Sequence, residues 1–406
     1  MRIIVQKFGG SSMASVAQRQ RVCQRISEAI QAGYSVVVVV SAMGRSGDPY
    51  ATDTLINLIR EVFSDCPKRE LDLLMSCGEI ISCTILAANL MQLGYDVVAL
   101  TGRDAGIITD SNFGDARIIR IIPTIILEHL KKNKVVVVAG FQGVSEDGDI
   151  TTLGRGGSDT SACALGVALG AEVIDIFTDV EGIMTADPRI VENARLLEMV
   201  TYNEICHLAQ QGAKVIHPRA VEIAMQKNIP VRVRSTFSDS LGTLVSSLSK
   251  RMELGTGIRS DQLITGVTQI PNVTQLSITL DQANPLEASA RIFGCLAQAG
   301  ISVDFINVHP DVVIFTVAEE VAEKAVWILR QHNFEPRIRS SCAKVSVVGA
   351  GMAGMPGVMA SIVEALAQED IPILQSADSH TTIWCLVERQ YMEKAVRALH
   401  RAFQLG

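Results

Sequence analysis

Residues 153–161, with the sequence Leu-Gly-Arg-Gly-Gly-Ser-Asp-Thr-Ser, combine residue types that suit an anion-binding site. The glycines allow backbone N–H groups to turn towards a ligand, and the helix-like stretch from Ala162 adds unpaired N–H groups and the positive end of its dipole. Arg155 supplies a planar fork for a carboxylate or a phosphate. Ser158 or Asp159 would also suit simple helix capping. Capping does not account for an arginine between glycines, so the segment predicts a functional loop.

A second junction of this kind lies at Lys7-Phe8-Gly9-Gly10-Ser11-Ser12, directly after the apolar run at residues 3–5. A lysine at the end of a buried strand, beside two glycines, is a point charge suited to a phosphate. The spacing is not that of a P-loop, because G-x-x-x-x-G-K-[ST] is absent. The alternative is a solvated surface lysine, and the position beside Gly9-Gly10 favours the phosphate interpretation.

Polar residues also follow other predicted strands. Ser41 follows a run of five valines, and Thr52 lies in the polar turn beyond it. Ligands in open α/β sheets bind at such carboxyl ends, so both residues are candidates for substrate hydrogen bonds, with helix capping as the alternative. Glu79 lies in a predicted helix over residues 71–93. It is either a helix-surface residue or a buried acid with a cationic partner, and the residues alone favour the surface.

The order of elements up to about residue 240 is an alternation of strands and helices. The five valines are typical of a parallel sheet covered on both faces, and the alternation predicts a doubly wound sheet. We expect residues 117–130 to be helical with a break at Pro123. We expect residues 231–235 to form the last strand, followed by a polar linker.

The last third of the sequence repeats at an offset of about 70 residues. Ile292-Phe293 aligns with Ile362-Val363, and Val312-Val313-Ile314 aligns with Thr382-Ile383-Trp384. Each unit predicts strand, helix, strand, strand, helix, which fits two ferredoxin-like modules. Residues 349–354 match G-x-G-x-x-G, but the remaining chain is too short for a dinucleotide-binding domain. The match is better interpreted as a small-ligand or interface loop.

Composition excludes several classes of protein. The net charge of −7 argues against a nucleic-acid or anionic-membrane surface, and 48% hydrophobic with 19% charged residues indicates a folded chain. The N-terminus lacks a signal peptide and no window holds eighteen uninterrupted apolar residues, so we expect a cytoplasmic protein without a membrane span. The nine cysteines are scattered without C-x-x-C pairs, which predicts reduced, buried thiols and no metal site.

Taken together and in order, these segments resemble those of the aspartokinases. The resemblance rests on the Lys7 and Arg155 loops, Val40-Ser41-Ala42-Met43-Gly44, the stretch from Phe177-Thr178-Asp179 to Asp187-Pro188-Arg189, and a tandem repeat that resembles paired ACT domains. It covers essentially the whole chain. In detail, including residues 47–53 and 375–382, the sequence is most similar to the monofunctional branch that responds to diaminopimelate.

The resemblance implies an amino-acid kinase αβα sandwich with a mostly parallel sheet, followed by two ACT regulatory domains of βαββαβ type. It implies a catalytic domain at 1–245, a linker at 246–262 and ACT domains at 263–340 and 341–406. It also implies transfer of the ATP γ-phosphoryl group to the side-chain carboxylate of L-aspartate, giving 4-phospho-L-aspartate, with Mg²⁺ held mainly through the nucleotide phosphates. This is the entry step to lysine, threonine, methionine and diaminopimelate.

The resemblance also implies roles for individual residues. The expected catalytic residues are Lys7, Arg155 and Asp159, and Glu79 is expected to pair with the substrate ammonium, which overturns its surface assignment. The other expected substrate contacts are Ser41, Thr52, Gly156, Gly157 and Ser158. The expected ATP contacts are Lys7, Phe8, Gly9, Gly10, Ser11, Thr178, Asp179, Met184, Asp187, Arg189, Lys214 and Val215.

In the regulatory half, the sequence differs from that of related aspartokinases at three segments that an amino-acid effector would contact. These segments are Asn284-Pro285-Leu286, Met355-Pro356-Gly357 and Pro372-Ile373. The effector is therefore left open among diaminopimelate, lysine and threonine. We expect ACT modules from two subunits to pair in a homodimer or higher homo-oligomer, with the effector near Gln282, Asn307, Gln375 and Ser376. Competing hypotheses are a kinase for glutamate, acetylglutamate or a nucleoside monophosphate, a catalytically silent amino-acid sensor, and a dehydrogenase using residues 349–354.

Overall fold

The run of valines at residues 36–40 forms a central strand of an eight-stranded sheet, as its continuous apolar character predicts. The computed structural model describes residues 1–213, 215–247, 264–280, 284–350, 352 and 355–406. They divide into two units. The first comprises the described residues of Met1–Ile183, Leu196–Gln210 and Lys214–Arg259, and the second those of Met184–Arg195, Gln211–Ala213 and Ser260–Gly406.

The first unit contains two sheets and helices of very different lengths. Its strands are β1 Ile3–Phe8, β2 Ser35–Val40, β3 Val97–Leu100, β4 Ile107–Thr109, β5 Ile118–Ile121, β6 Val135–Ala139, β7 Gln142–Ser145, β8 Ile150–Thr152, β9 Val173–Thr178, β10 Met199–Thr201, β11 Val231–Ser235 and β12 Thr243–Ser246. Its helices are α1 Gly10–Met13, α2 Val16–Gln31, α3 Thr52–Val62, α4 Lys68–Gln92, α5 Thr124–Lys131, α6 Gly157–Leu169, α7 Tyr202–Gln210 and α8 Pro218–Met225.

The strand order determines which loops meet. The large sheet runs β10-β12-β11-β9-β1-β2-β6-β3, and its neighbours are parallel except for the pair β11 and β12. A second sheet has the order β5-β4-β7-β8. Because β1 lies between β9 and β2, the loops that follow these three strands lie side by side at one edge. The predicted phosphate loop after Lys7 is therefore flanked by the turn after Thr178 and the loop after Val40.

Both faces of the large sheet are covered, as in a doubly wound fold. Val36, Val38 and Val40 pack in one core cluster with residues of α2 and α4. The alternate residues Val37 and Val39 are also fully buried, and α6 packs on β1, β2 and β9. Helix α4 is long and apolar enough to span a membrane by length and composition alone, but half of its most apolar window is buried inside the protein.

The second unit is built from a repeated module. Its strands are β13 Gly266–Thr279, β14 Asp304–Val308, β15 Val312–Ala318, β16 Arg337–Val348, β17 Gln375–Asp378 and β18 Thr382–Glu388. Its helices are α9 Pro285–Gln298, α10 Glu319–Gln331, α11 Val358–Ala367 and α12 Met392–Ala402, with a 3₁₀ turn at Arg389–Tyr391. The strands form one antiparallel sheet in the order β14-β15-β13-β16-β18-β17. The predicted order of strand, helix, strand, strand, helix is confirmed in both modules.

Some local expectations were wrong. Residues 117–130 are not one helix, because Ile118–Ile121 form β5 and the helix begins only at Thr124. The β-branched isoleucines favour a strand, and the residue before a proline is disfavoured in the helical region. The strand β11 is not the last of the first unit, since Thr243–Ser246 pair with it as β12. Most of the predicted linker lies outside the described residues.

Candidate active site

Lys7 and Asp159 form an ion pair at the edge where the strands of the large sheet end. Lys7 Nζ lies 2.7 Å from Asp159 Oδ1, and both side chains are largely buried. β1 positions the lysine, and the first turn of α6 positions the acid. The capping hypothesis for the Arg155 loop was wrong, because the N-cap of α6 is Gly156 and no side chain caps this helix. Asp159 instead serves as the partner of Lys7.

The Arg155 loop is held in a tight turn before α6. Gly156 has φ +71°, a conformation that suits glycine, and α6 begins at Gly157, inside the predicted loop. A Cβ on Gly156 would lie 2.4 Å from Cβ of His217, so the histidine packs directly on this glycine. Arg155 is exposed and, within the described part of the chain, takes part in no ion pair. It is therefore available to an anionic ligand.

The loops after β1 and β2 touch through their backbones. A Cβ on Gly10 would lie 2.6 Å from the carbonyl oxygens of both Ala42 and Gly44, so this position has room only for glycine. The N–H group of Gly44 donates to the Gly10 carbonyl at 3.0 Å, and the N–H group of Ser41 donates to the Phe8 carbonyl at 3.1 Å. This contact brings the predicted phosphate and substrate loops together.

Glu79 is a buried acid, so the surface assignment favoured by the residues alone was wrong. It is 2% exposed in α4, and its Oε1 accepts a hydrogen bond from the Ala42 N–H at 3.0 Å. Its Oε2 is buried without a hydrogen-bond partner among the described residues. Burial raises the pKa of the Glu79 carboxyl to about 8, and the Ala42 N–H opposes this only in part. The helix carries Glu79 to the loop of Ser41, where a cationic group would satisfy it.

Ser41 and Thr52 lie at the two ends of the connection between β2 and α3. Thr52 is the first residue of α3, whose N-cap Ala51 makes no side-chain cap, so the capping alternative for Thr52 was wrong. Ser41 is half-buried directly after β2. Gly78, next to Glu79 in α4, packs closely against Ala42, because a Cβ on this glycine would lie 2.9 Å from the Ala42 Cβ. The end of β2 and the middle of α4 therefore form one packed substructure.

The expected nucleotide residues are divided between the two units. Thr178 ends β9, and its hydroxyl donates to Asp179 Oδ1 at 3.2 Å. Met184, Asp187 and Arg189 belong to the second unit, where Arg189 pairs with Asp187 at 2.7 Å. This ion pair and further hydrogen bonds from Arg189 lower the pKa of Asp187. Lys214 lies outside the described residues, and Val215 is half-buried ahead of α8.

The expected effector residues divide between two sides of β17. Gln375 donates to the Phe305 carbonyl at 2.6 Å and to the side-chain oxygen of Asn307, and accepts from Gln275 at 2.8 Å. Ser376 instead lines a cavity of about 750 Å³ in the second module, together with Met352, Met359, Asp378 and His380. Adjacent strand residues point to opposite faces, which explains the separation. Gln282 lies outside the described residues.

Several contacts of this site were not predicted from the sequence. His217 packs on Gly156, and Arg219 donates to the carbonyls of Leu153 and Ala116 at 3.2 and 2.8 Å. Arg45 pairs with Asp179. In the sequence, His217 follows a glycine and a lysine at Gly212 and Lys214 and directly precedes α8, and this junction is the signal that could have pointed to it. Nothing in the spacing indicated its partner. The nine cysteines are all free and seven are buried, as expected.

Comparison with known proteins gives the family. Residues 2–235 match the model of the amino acid kinase family, and residues 337–401 match an ACT domain model. The chain is 53% identical to Aspartokinase 1 of Bacillus subtilis over 406 residues, covering all of both chains. It is 42% identical to an aspartokinase of Geobacillus stearothermophilus, covering all of this chain and 98% of that one. The chain belongs to the aspartokinase family.

Solved aspartokinase structures have the same fold. Aspartokinase III of E. coli, in complex with aspartate and ADP, matches with a TM-score of 0.80 and 25% identity over 99% of both chains. The aspartate kinase of Clostridium acetobutylicum matches with a TM-score of 0.77 and 25% identity over 99% of this chain and 100% of that one. The amino-acid kinase fold followed by ACT-type regulatory modules is thereby confirmed, and this aspartokinase is an ATP-dependent aspartate kinase.

Proposed function

We propose that the enzyme transfers the γ-phosphoryl group of ATP to the side-chain carboxylate of L-aspartate, giving 4-phospho-L-aspartate, the first step towards lysine, threonine, methionine and diaminopimelate. The observation that carries this proposal is the pair of Lys7 and Asp159, which lies between the Gly9-Gly10 turn and the loop of Arg155. The groups proposed to bind phosphate and carboxylate therefore lie near one another, which supports the proposal.

The attacking carboxylate is ionised at neutral pH, so the reaction needs no strong general base. Catalysis then rests on in-line positioning and on neutralisation of phosphate charge. Lys7 contacts the transferring phosphate, and the backbone at Gly9 and Gly10 lines it. Asp159 keeps Lys7 oriented, since its Oδ1 lies 2.7 Å from the ammonium nitrogen.

On the aspartate side, Arg155 holds a carboxylate of the substrate through its exposed guanidinium. Glu79 pairs with the substrate ammonium, because a buried acid with one unpartnered oxygen is satisfied by a cation. The remaining substrate contacts are assigned to Ser41, Thr52, Gly156, Gly157 and Ser158. The first N–H groups of α6 favour the negative charge of the bound carboxylate.

The nucleotide contacts are assigned to Lys7, Phe8, Gly9, Gly10, Ser11, Thr178, Asp179, Met184, Asp187, Arg189, Lys214 and Val215. Mg²⁺ would be held mainly through the nucleotide phosphates, and Asp159, paired with Lys7, would orient Lys7 or the Mg²⁺-bound phosphates. When bound, the ion neutralises phosphate charge. The protein's own residues supply orientation around it.

The test is hydroxamate formation from L-aspartate, Mg²⁺-ATP and hydroxylamine. Arg155→Ala should remove most of the product, whereas the matched control Arg60→Ala should not, because Arg60 is an exposed residue in the last turn of α3. Glutamate, acetylglutamate and UMP serve as alternative acceptors. No product from aspartate in a folded sample would favour the silent-sensor hypothesis, and product from another acceptor would favour a different amino-acid kinase.

We further propose that the enzyme is cytoplasmic and that its domains follow the boundaries 1–245, 246–262, 263–340 and 341–406. An end-product amino acid, which is diaminopimelate, lysine or threonine, would bind near Gln282, Asn307, Gln375 and Ser376, between ACT modules of paired subunits. The polar contacts of Gln375 with Asn307 and Gln275 support a role for this side chain in holding the modules together.

Trp384 offers a direct test of effector binding. It packs edge-on against Phe305 at 6.4 Å, and the chain's other tryptophan, Trp327, is exposed. In a Trp327→Phe background, the effector should change Trp384 emission, and Gln375→Ala should raise the concentration needed. Light scattering with and without effector tests subunit pairing. Inhibition of a species that stays monomeric would contradict the paired-subunit site.

A further inference from the structure

The backbone of Arg45 lies directly beside the predicted phosphate turn. Its preceding residue, Gly44, is hydrogen-bonded to Gly10 and in close backbone contact with it. The N–H group of Arg45 is held by the Asp48 carboxylate at 2.7 Å. The main chain is thus anchored from both sides. The side chain, by contrast, is 72% exposed.

From this anchor the guanidinium reaches across the sheet edge. Arg45 Nη2 lies 2.5 Å from Asp179 Oδ2, in the turn that follows β9. Because β9 and β2 flank β1 on opposite sides, the two loops are about 10 Å apart at their bases. The ion pair therefore joins the loops that flank the end of β1 on its two sides, next to the turn where the nucleotide phosphates are assigned.

The strand-end lysine at this turn is already paired with an acid. The ammonium of Lys7 is already matched by Asp159, so this pair brings no net positive charge to an incoming triphosphate. An exposed ion pair such as that of Arg45 contributes little by itself, since solvent screens it. A guanidinium forms stronger, bidentate contacts with phosphate. Exchange of partner from Asp179 to phosphate is therefore favourable.

We propose that Arg45 is a further catalytic residue, which leaves Asp179 when Mg²⁺-ATP binds and contacts the γ-phosphate during transfer. This assignment rests on the proposed kinase reaction and adds to it a cation that the family resemblance did not supply. Arg45 closes the phosphate turn before binding and neutralises the transferring group afterwards.

The first test compares nucleotides with and without the third phosphate. In the full chain, Arg45→Ala should weaken calorimetric binding of Mg²⁺-AMP-PNP about tenfold, leave Mg²⁺-ADP within about twofold, and lower kcat for hydroxamate formation. Arg45→Lys should restore part of the loss, because it keeps the charge but not the fork. Arg60→Ala is the matched control. Equal weakening of both nucleotides, or none, would overturn the assignment.

A double substitution distinguishes this role from a purely structural one, in which Arg45 only holds the loop of Asp179 through their ion pair. If Arg45 only anchored Asp179, Arg45→Ala would add nothing in an Asp179→Asn background. We expect its selective effect on AMP-PNP to persist there. The binding measurement needs no aspartate, so Arg45-dependent preference for AMP-PNP without hydroxamate would support the Arg45 assignment while contradicting the aspartate reaction.

Discussion

Two acidic residues of the first unit, Asp159 and Glu79, are both buried at the same sheet edge, but their surroundings differ. Asp159 has a cation, with Lys7 Nζ at 2.7 Å. Glu79 has only the Ala42 N–H on one oxygen and no described partner on the other. Burial accordingly raises the pKa of Glu79 to about 8. Asp159 is thus paired with a cation of the protein itself, whereas no described residue pairs with the second oxygen of Glu79.

In the proposed active site, this difference would divide the reaction between a phosphate half and an aspartate half. On the phosphate side, the partner of Asp159 is part of the chain, so the geometry is fixed before the substrate arrives. On the aspartate side, an unpaired buried acid favours a ligand that carries an ammonium group. Selectivity for an amino acid would then arise from the acid that the protein leaves unsatisfied.

The largest effect is expected from the acid that is already paired. Asp159→Asn removes the charge that orients Lys7, and we expect kcat for hydroxamate formation to fall about 10³-fold, as when a preorganised charge is lost. The KM for aspartate should change much less, because Asp159 is not assigned to the substrate. A steady-state comparison measures both parameters. Lys7→Ala should be similarly inactive, and the double variant no worse, since the two act as one unit.

A smaller effect, of a different kind, is expected from the unpaired acid. Glu79→Gln keeps the shape and the Ala42 contact but cannot neutralise an ammonium, so the KM for aspartate should rise about 10-fold to 100-fold. The KM for ATP should hold within about twofold. If Glu79→Gln lowered kcat with an unchanged aspartate KM, the ammonium assignment would be wrong.

The raised pKa of Glu79 also predicts how stability depends on pH. Between the ordinary value of 4.5 and about 8, the folded protein keeps a proton that the unfolded chain has lost. This contribution to stability is complete below 4.5 and is lost as pH rises to about 8, at about 1.4 kcal/mol per pH unit. Urea titrations of wild type and Glu79→Gln should differ by this slope. Parallel curves would contradict the raised pKa.

The sequence predicts those parts of the site whose residues are neighbours in the chain, and it does not predict those that depend on tertiary packing. The Lys7 and Arg155 loops were found because glycines and a cation next to a strand end are consecutive in the chain. The structure brings the two loops together through the ion pair of Lys7 and Asp159. Glu79 could not be assigned from α4 alone, because the burial of a helix face depends on what packs against it. The spacing favoured the helix surface, whereas the family resemblance placed Glu79 in the substrate site, which requires a buried acid.

The second unit shows the same limit. The repeat predicted both modules, because strand and helix periods are local. Nothing in the sequence indicated that Met184–Arg195 and Gln211–Ala213 belong to this unit, since such membership is a property of tertiary packing. The sequence analysis also did not predict that Gln375 and Ser376 face opposite sides of the sheet. Because adjacent strand residues alternate, this follows once both residues are placed in β17.

The smallest expected effect tests whether the scaffold of Asp159 is independent of that of Glu79. Gly156→Ala puts a Cβ 2.4 Å from Cβ of His217, at a φ of +71° that alanine disfavours, directly before the helix that carries Asp159. We expect kcat/KM for aspartate to fall about tenfold, because Asp159 and Arg155 both shift.

Gly156→Ala/His217→Ala should recover a few-fold of this loss, since the second substitution removes the ring but not the backbone strain. In both variants the pH slope of stability assigned to Glu79 should be unchanged, because the atoms nearest to a Cβ on this glycine all belong to His217. A double variant no better than Gly156→Ala would show that backbone strain alone is responsible. If the pH slope of stability disappeared in these variants, the positions of Asp159 and Glu79 would depend on the same part of the scaffold. The distinction between a paired acid and an unpaired acid would then be wrong.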